Sequence, residues 1–397
     1  MTTQAAVAAQ PSAPGFIHRF MLLALVSGSS IALGRIATQL FAIHLGATPL
    51  QIGAIMAIEK GVMMAMAIPA GFMVSRLGAR TSYFTASLGP MLVYAAMPFA
   101  GAWGLLALAR GLIGVCIPFR INSMNTSFLR ELPRIGTSKA GWYRGSQTLG
   151  VSIIGPALAA WVTAQFGYGP AFVASGVMFG LMGVASLSFF PETRELQDGA
   201  PKVGFLRQVG QLLRKRSIFE SCVTEHVSSA TTSLFTTFIL IVAIQRLGLP
   251  RPTAVSLLAF QGCTTAASLF VGARVYVKMS RHRAYLWSLA AGSAALLCLG
   301  LGRSYPVLAA GAVLLSLASS SLHFQNMTQL SLSSAVKSKV SGLYNVAGMS
   351  GGVVGSMSGG LLSKVAPVQT VYLVWVLVLL ATAAAIGLHN RWNPADA

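Results

Sequence analysis

The residues able to do chemistry in this sequence are a few ionisable side chains set inside long apolar runs. Arg35, Glu59, Arg110, Arg120, Glu225, His226 and His323 all interrupt such runs. A charge at the centre of a membrane helix costs about 2.5–3.5 kcal/mol unless it is paired or hydrated. Each position therefore marks an ion pair, a wet cavity, or a route for protons or solute. Glu59 stands about nine residues into its run, which puts it about 14 Å along a helix. It can carry a proton between the two sides of a membrane or form a structural pair with Arg35, and both readings stay open. Lys60 is adjacent in sequence but about 100° around the helix, so it does not face Glu59.

Two polar patches surround these charges. Arg120, Asn122 and Asn125 lie in PFRINSMN, and His323, Gln325 and Asn326 lie in LHFQNMTQ, at an offset of 203 positions. Matching patches of this kind suit a solute site built from two related halves. Helix–helix hydrogen bonding is the structural alternative. Glu225 and His226 are further candidates for proton handling, whereas Glu220 reads as interfacial.

The elements that must position these groups follow from composition. The chain has 397 residues, of which 54% are hydrophobic and 9% charged, with a mean hydropathy of +0.69. Soluble domains carry about 25% charged residues. Spanning helices need about 20 apolar residues each, so twelve fit in this length. The expected fold is all-α and integral to a membrane, with twelve transmembrane helices in two pseudo-symmetric six-helix bundles. Residues 1–15 form a disordered N-terminus, 16–190 the first bundle, 191–217 a basic linker, 218–390 the second bundle, and 391–397 a tail. In the linker, Phe205, Leu206, Val209, Leu212 and Leu213 recur at helical spacing among basic residues, as in an amphipathic helix on a membrane surface. Helix four is expected to end at Leu129, before a basic loop from Arg130 to Ala140, and helix five to run from Gly141 to Phe166.

The net charge of +20 is not a nucleic-acid signature, because Arg and Lys gather in alternate loops. One set includes Arg76, Arg80, Arg130, Arg134, Lys139, Arg144, Lys278, Arg281, Arg283, Lys337 and Lys339. The other holds only Arg246, Arg251, Arg303 and Lys364. This asymmetry follows the positive-inside rule and places both termini in the cytoplasm, in the inner (plasma) membrane. Cys116, Cys222, Cys263 and Cys298 have no metal-type spacing and read as packing residues.

A repeat relates the halves. Gly71–Tyr83, GFMVSRLGARTSY, returns 202 positions later as Ala273–Tyr285, ARVYVKMSRHRAY, and the same shift lays Leu45-Gly46 on Leu247-Gly248. With its basic central linker and this turn motif, nearly the whole chain resembles the major facilitator superfamily of secondary transporters. Gly71, Arg76, Gly78 and Arg80 match that family's loop motif, while Ser75 stands where the family has Asp. The resemblance implies that this loop latches the cytoplasmic ends of the bundles. Gly155 and Pro156 resemble the helix-five motif of the family's exporters, with Gly351, Gly355 and Gly359 as an echo in helix eleven. Arg110 and Gly114 resemble the helix-four motif, whose arginine serves proton transfer in some members.

No GxxxxGK[ST] or HExxH pattern and no paired Cys/His cluster occurs, which argues against an ATP-driven pump or a metalloenzyme. No cofactor or metal is expected. The expectation is a monomeric secondary transporter in a lipid bilayer, not an enzyme, exporting a small organic solute in exchange for protons. Arg35, Arg120, Asn122, Asn125, His323, Gln325 and Asn326 would contact solute, and Glu59, Arg110, Glu225 and His226 would handle protons. Gating would fall to Gly71, Arg76, Gly78, Arg80, Gly155 and Pro156. Positive cavity charges favour an anionic solute, such as an organic acid or a siderophore-like metabolite, over a cationic drug. Uptake of a nutrient anion by symport, lipid translocation, and a non-transporting sensor or scaffold are the alternatives.

Overall fold

The computed structural model describes residues 15–135, 142–190, 210, 212–213, 215–270, 273–276, 278–332 and 337–392. The N-terminal segment, the tail and most of the linker, including Phe205, Leu206 and Val209, lie outside the described residues. Every regular element among the described residues is helical. Hydrocarbon offers a backbone no outside partner, so an apolar run satisfies its N–H and C=O groups within its own helix.

The helices are α1 (Phe16–His44), α2 (Pro49–Leu77), α3 (Ala79–Ala96), α4 (Trp103–Ile135), α5 (Trp142–Leu149, continued by a π turn Gly150–Ile154 and by Gly155–Gln165) and α6 (Tyr168–Phe189). They continue as α7 (Arg216–Ile241, with a terminal π turn Val242–Arg246), α8 (Arg251–Phe270, followed by Ala273–Tyr276), α9 (Arg281–Leu301), α10 (Tyr305–Leu332), α11 (Lys337–Leu362) and α12 (Thr370–Trp392). Among the described residues, nine helices are long and apolar enough to cross a membrane. The rods of α3, α8 and α11 are not among the nine.

One boundary differs from expectation, and one helix is interrupted. Helix α4 runs on to Ile135 rather than ending at Leu129; Arg130, Glu131 and Leu132 are good helix formers, and a helix does not have to stop where the apolar run does. Helix α5 is broken by its π turn, in which the Gly155 N–H bonds to the Gly150 carbonyl. Pro156 follows at once; its ring crowds the carbonyl four residues back, and a widened turn relieves that crowding.

The sequence repeat is visible in the turns. Gly46 and Gly248 both hold left-handed backbone, at φ 71° and 64°, a conformation that glycine adopts without steric cost. Gly78 does so at φ 87° between α2 and α3. Its repeat mate Ser280 instead sits at φ −64° and caps α9, accepting from the Arg283 N–H at 3.4 Å. One turn position is thus solved by conformational freedom and its copy by a side-chain cap.

Contacts divide the chain into two units: Met1–Leu45 with Ala65–Asp198, and Gly46–Met64 with Gly199–Ala397. The first part of α2 groups with the second unit. In the first unit α1 crosses α5 closely. A Cβ on Gly28 would meet the Gln147 carbonyl, and one on Gly150 would meet the Leu25 carbonyl. Helices α3 and α4 are joined by two arginine–tyrosine pairs. Arg110 donates to Tyr94 Oη at 2.8 Å and Arg120 to Tyr83 Oη at 2.8 Å. Both guanidinium groups are buried. Arg120 also donates to Ser87 (3.1 Å) and Ser27 (3.4 Å) and lies 4.2 Å from the Phe179 ring centroid.

In the second unit α7 crosses α11 in the same way. A Cβ on Gly351 or Gly355 would meet the carbonyls of His226 or Ala230, and one on Gly359 the Phe238 ring. The first part of α2 packs on the next face of α11, with Leu50 against Gly360. Leu212 and Leu213, from the linker's end, pack on Ile218, Cys222, Leu330 and Tyr344.

Two outcomes follow. Gly355→Ala puts a methyl group into a carbonyl contact and should destabilise the protein by about 1–3 kcal/mol, the usual cost of overpacking; a lowered unfolding midpoint in detergent checks it. Tyr83→Phe keeps the ring beside Arg120 but removes one hydrogen bond to a buried cation, and should cost about 1.5–3 kcal/mol by the same measurement.

Candidate functional site

Three polar side chains from three helices of the second unit converge on one another. Glu225 extends from α7, His323 from α10 and Tyr344 from α11. Tyr344 Oη donates to Glu225 Oε2 in a short hydrogen bond and lies 3.2 Å from His323 Nδ1. His323 Nδ1 is itself 3.9 Å from Glu225 Oε2. Ser229, one turn along α7, donates to the other carboxylate oxygen at 3.1 Å. The Glu225 and His323 side chains are 17% and 37% exposed, so a proton or solute can reach them, while Tyr344 between them is buried.

The close α7–α11 crossing creates this group. At Gly348 a Cβ would stand only 3.3 Å from both Glu225 Oε1 and Ser229 Oγ, so the missing side chain leaves room for the carboxylate. The hydrogen-bond pattern can also be read chemically. The single Tyr344 proton points to Glu225, so His323 Nδ1 must be the donor on the histidine side. If Glu225 holds a proton, the chain can reverse, with Glu225 donating to Tyr344 and Tyr344 to His323. When both ends are protonated, the Tyr344 oxygen accepts from both and its own proton points to neither. Protonation of Glu225 thus replaces a charge-assisted bond with a weaker neutral one in the tie among α7, α10 and α11.

The remaining expected site residues are scattered. His226 faces away from Glu225, its Nδ1 2.9 Å from Ser350 Oγ on α11. Asn326 is buried, 3.0 Å from Thr224 Oγ1, whose hydroxyl it accepts. Gln325 donates to the Tyr276 carbonyl at 3.1 Å. The α10 patch therefore fans out in three directions, as successive residues on a helix must. In the first unit, Asn122 reaches the Ala67 carbonyl at 3.4 Å, and Asn125 is exposed. Arg110 and Arg120 are the buried interhelical donors described above. Arg35 belongs to the first unit and the buried Glu59 to the second. Glu220 is fully buried and accepts from Arg216 Nε at 3.0 Å one turn back, an intrahelical pair.

Among the expected gating residues, Arg80 donates to the Leu187 carbonyl at the end of α6, and Arg76 is exposed. Gly71 faces Asn122 Nδ2 at 3.9 Å from a built Cβ. Gly155 and Pro156 sit at the exit of the α5 π turn, against Ser29 and Ala32 of α1.

Tyr344 was missed in the sequence. Laying α11 on α5 would have pointed to it, since Tyr143 and Tyr344 stand within one residue of the repeat's register; Tyr143 packs on Phe20 and Phe128 instead. A separate, largely apolar cavity of about 230 Å³ lies among α7, α9, α10 and α12, lined by Thr224, Thr231, Ser288, Leu315 and Thr382. It touches α7 through Thr224, Val227, Ser228 and Thr231, away from Glu225.

No curated protein matches the chain at a significant level. Solved structures do. The nucleoside transporter NupG is 12% identical with a TM-score of 0.78, covering 94% of this chain and 98% of that one. A bacterial homologue of the human lysosomal transporter Spinster is 14% identical, with a TM-score of 0.76 and coverages of 95% and 96%. The human organic anion transporter MFSD10 (TETRAN) is 17% identical, with a TM-score of 0.65 and coverages of 95% and 100%. At these identities the likeness establishes the fold. The Major Facilitator Superfamily profile matches residues 20–355, and this multi-pass membrane chain belongs to that superfamily of transporters.

Proposed function

We propose that this transporter couples the movement of a small organic anion to protons through Glu225, Tyr344 and His323, and that it works as an exporter. The observation that carries the coupling is the hydrogen-bonded chain from carboxylate to phenol to imidazole. It joins three helices, and the direction and strength of its hydrogen bonds change with its protonation. A group with that property can convert proton binding into a change of helix packing. Glu59, buried in the part of α2 that groups with the second unit, is a second proton-accepting position.

The orientation follows the alternating loop charges, with both termini in the cytoplasm of a cell whose plasma membrane holds the protein. On that topology Glu225 stands about nine residues, or about 14 Å, from the cytoplasmic start of α7. Tyr344 lies at a similar depth on α11. Export rests on the Gly155-Pro156 pair and the π turn before it, which make α5 a helix able to change its pitch where it crosses α1. Symport of a nutrient anion would use the same proton group with the flux reversed. The excess of arginine and lysine over acids along the spans supports an anionic solute.

The test uses purified protein in liposomes with an imposed pH gradient, following internal pH while anionic metabolites are supplied. Glu225→Gln should abolish solute-driven proton flux yet leave solute-for-solute exchange, because the amide keeps the shape and removes the titration. Unchanged proton flux in that variant would refute the role of Glu225. Tyr344→Phe breaks the chain while leaving both titrating ends. It should slow coupled flux about 10- to 100-fold, as expected for losing a hydrogen bond to a charged group worth about 1.5–3 kcal/mol. The sign of the proton flux on adding solute separates antiport from symport.

A further inference from the structure

The polar stripe of α7 continues beyond Glu225. Ser229 and Ser233 follow at one-turn intervals, and Ser233 lies about 12 Å further along the helix. At Ser233 the stripe meets Lys60, from the part of α2 that groups with the second unit. Lys60 Nζ donates to Ser233 Oγ in a short hydrogen bond. Ser233 Oγ is 2.7 Å from Ser356 Oγ of α11, and both hydroxyls reach the Gly352 carbonyl, at 2.8 and 3.0 Å. Thr237 Oγ1 stands 3.2 Å from Ser356 Oγ. Gly352 also makes room for the lysine stem, since a Cβ there would lie 2.9 Å from Lys60 Cδ.

From this geometry we infer that Lys60, Ser233 and Ser356 form an anion-binding pole that takes the carboxylate of the transported solute. The inference rests on reading the protein as an anion transporter and deepens it by naming where the anion is held. Ser233 and Ser356 are buried, while Lys60 is only partly so; the ammonium is the part of the group an incoming solute meets first. It offers three N–H donors. Hydroxyl protons rotate, so either serine can turn from the Gly352 carbonyl to an oxyanion without moving its helix. A carboxylate bound there accepts charge-assisted hydrogen bonds, which are stronger than the neutral serine–carbonyl bonds it displaces. The hydroxyls also explain why the site can release its ligand: they close back on Gly352 and Ser233 accepts from Lys60 again. Glu225 lies about two turns away on the same stripe, so anion and proton occupy different ends of one helix face.

The test is equilibrium binding in detergent at fixed pH, with no gradient, so that it does not depend on coupling. Thermal stabilisation is measured with succinate, citrate, benzoate and salicylate, each against its uncharged amide, on wild type, Lys60→Gln, Lys60→Arg, Ser233→Ala and Glu225→Gln. At least one carboxylate should stabilise the wild type where its amide does not. The Lys60→Gln change should weaken that carboxylate's binding about tenfold or more, the effect of about 1.4 kcal/mol, and Lys60→Arg should retain most of it. Glu225→Gln should still prefer that carboxylate to its amide, because the Lys60 ammonium is untouched. Carboxylates that stabilise Lys60→Gln as well as wild type would overturn the assignment while leaving the coupling reading intact. Stabilisation by amides alone, or by no member of the panel, would overturn it together with the anionic reading. If Lys60→Gln does not fold, loss of carboxylate binding in Ser233→Ala supports the site, and undiminished binding there overturns it.

Discussion

Close approach of helix backbones is the constraint on which the rest of this structure depends. Gly351 and Gly355 bring α11 onto the carbonyls of His226 and Ala230, and side chains larger than hydrogen would hold the helices apart. Without that contact Tyr344 would not reach Glu225, and Ser356 would not reach Ser233. The first unit repeats the device between α1 and α5, through Gly28 and Gly150. Lipid provides no hydrophobic drive for helices to associate, so packing at small residues and interhelical hydrogen bonds must supply it.

The two units use their buried polar residues differently. In the first, Arg110 and Arg120 are each matched to a tyrosine of α3, and Arg120 gains two serines besides. Its guanidinium also lies against the rings of Tyr83 and Phe179. That arrangement consolidates a four-helix contact around a permanent cation. In the second, His323 occupies the position corresponding to Arg120 and turns to Tyr344 and Glu225. A cation that never releases its proton has given way to one that does. The two halves thus share a scaffold and differ in the side chain at this position.

Much of the fold is legible in the chain itself. The apolar runs, the alternation of loop charge and the 202-residue repeat point to paired helical bundles in a membrane. Gly46, Gly78 and Gly248 mark turns that the backbone makes with positive φ. Glu225 and His323 are conspicuous because a titratable group in an apolar run is costly. Tyr344 and Lys60 are less so: a tyrosine near a helix end reads as an interfacial anchor, and a lysine beside an acid reads as its companion. The π turn of α5 has no one-residue signature either, since a proline in a run predicts a disturbance but not its form.

The sequence by itself determined the helical class, the membrane setting and the inventory of costly polar residues, because these follow from hydropathy and from the price of burying charge. Only the tertiary structure decided which of those residues meet. Side chains at successive positions leave a helix about 100° apart, so His323, Gln325 and Asn326 face three different neighbours although they are almost contiguous. Partners such as Glu225 and Tyr344 are separated by more than a hundred residues. Their meeting depends on the rotation of α11 against α7, which is fixed by glycines that carry no polar group of their own.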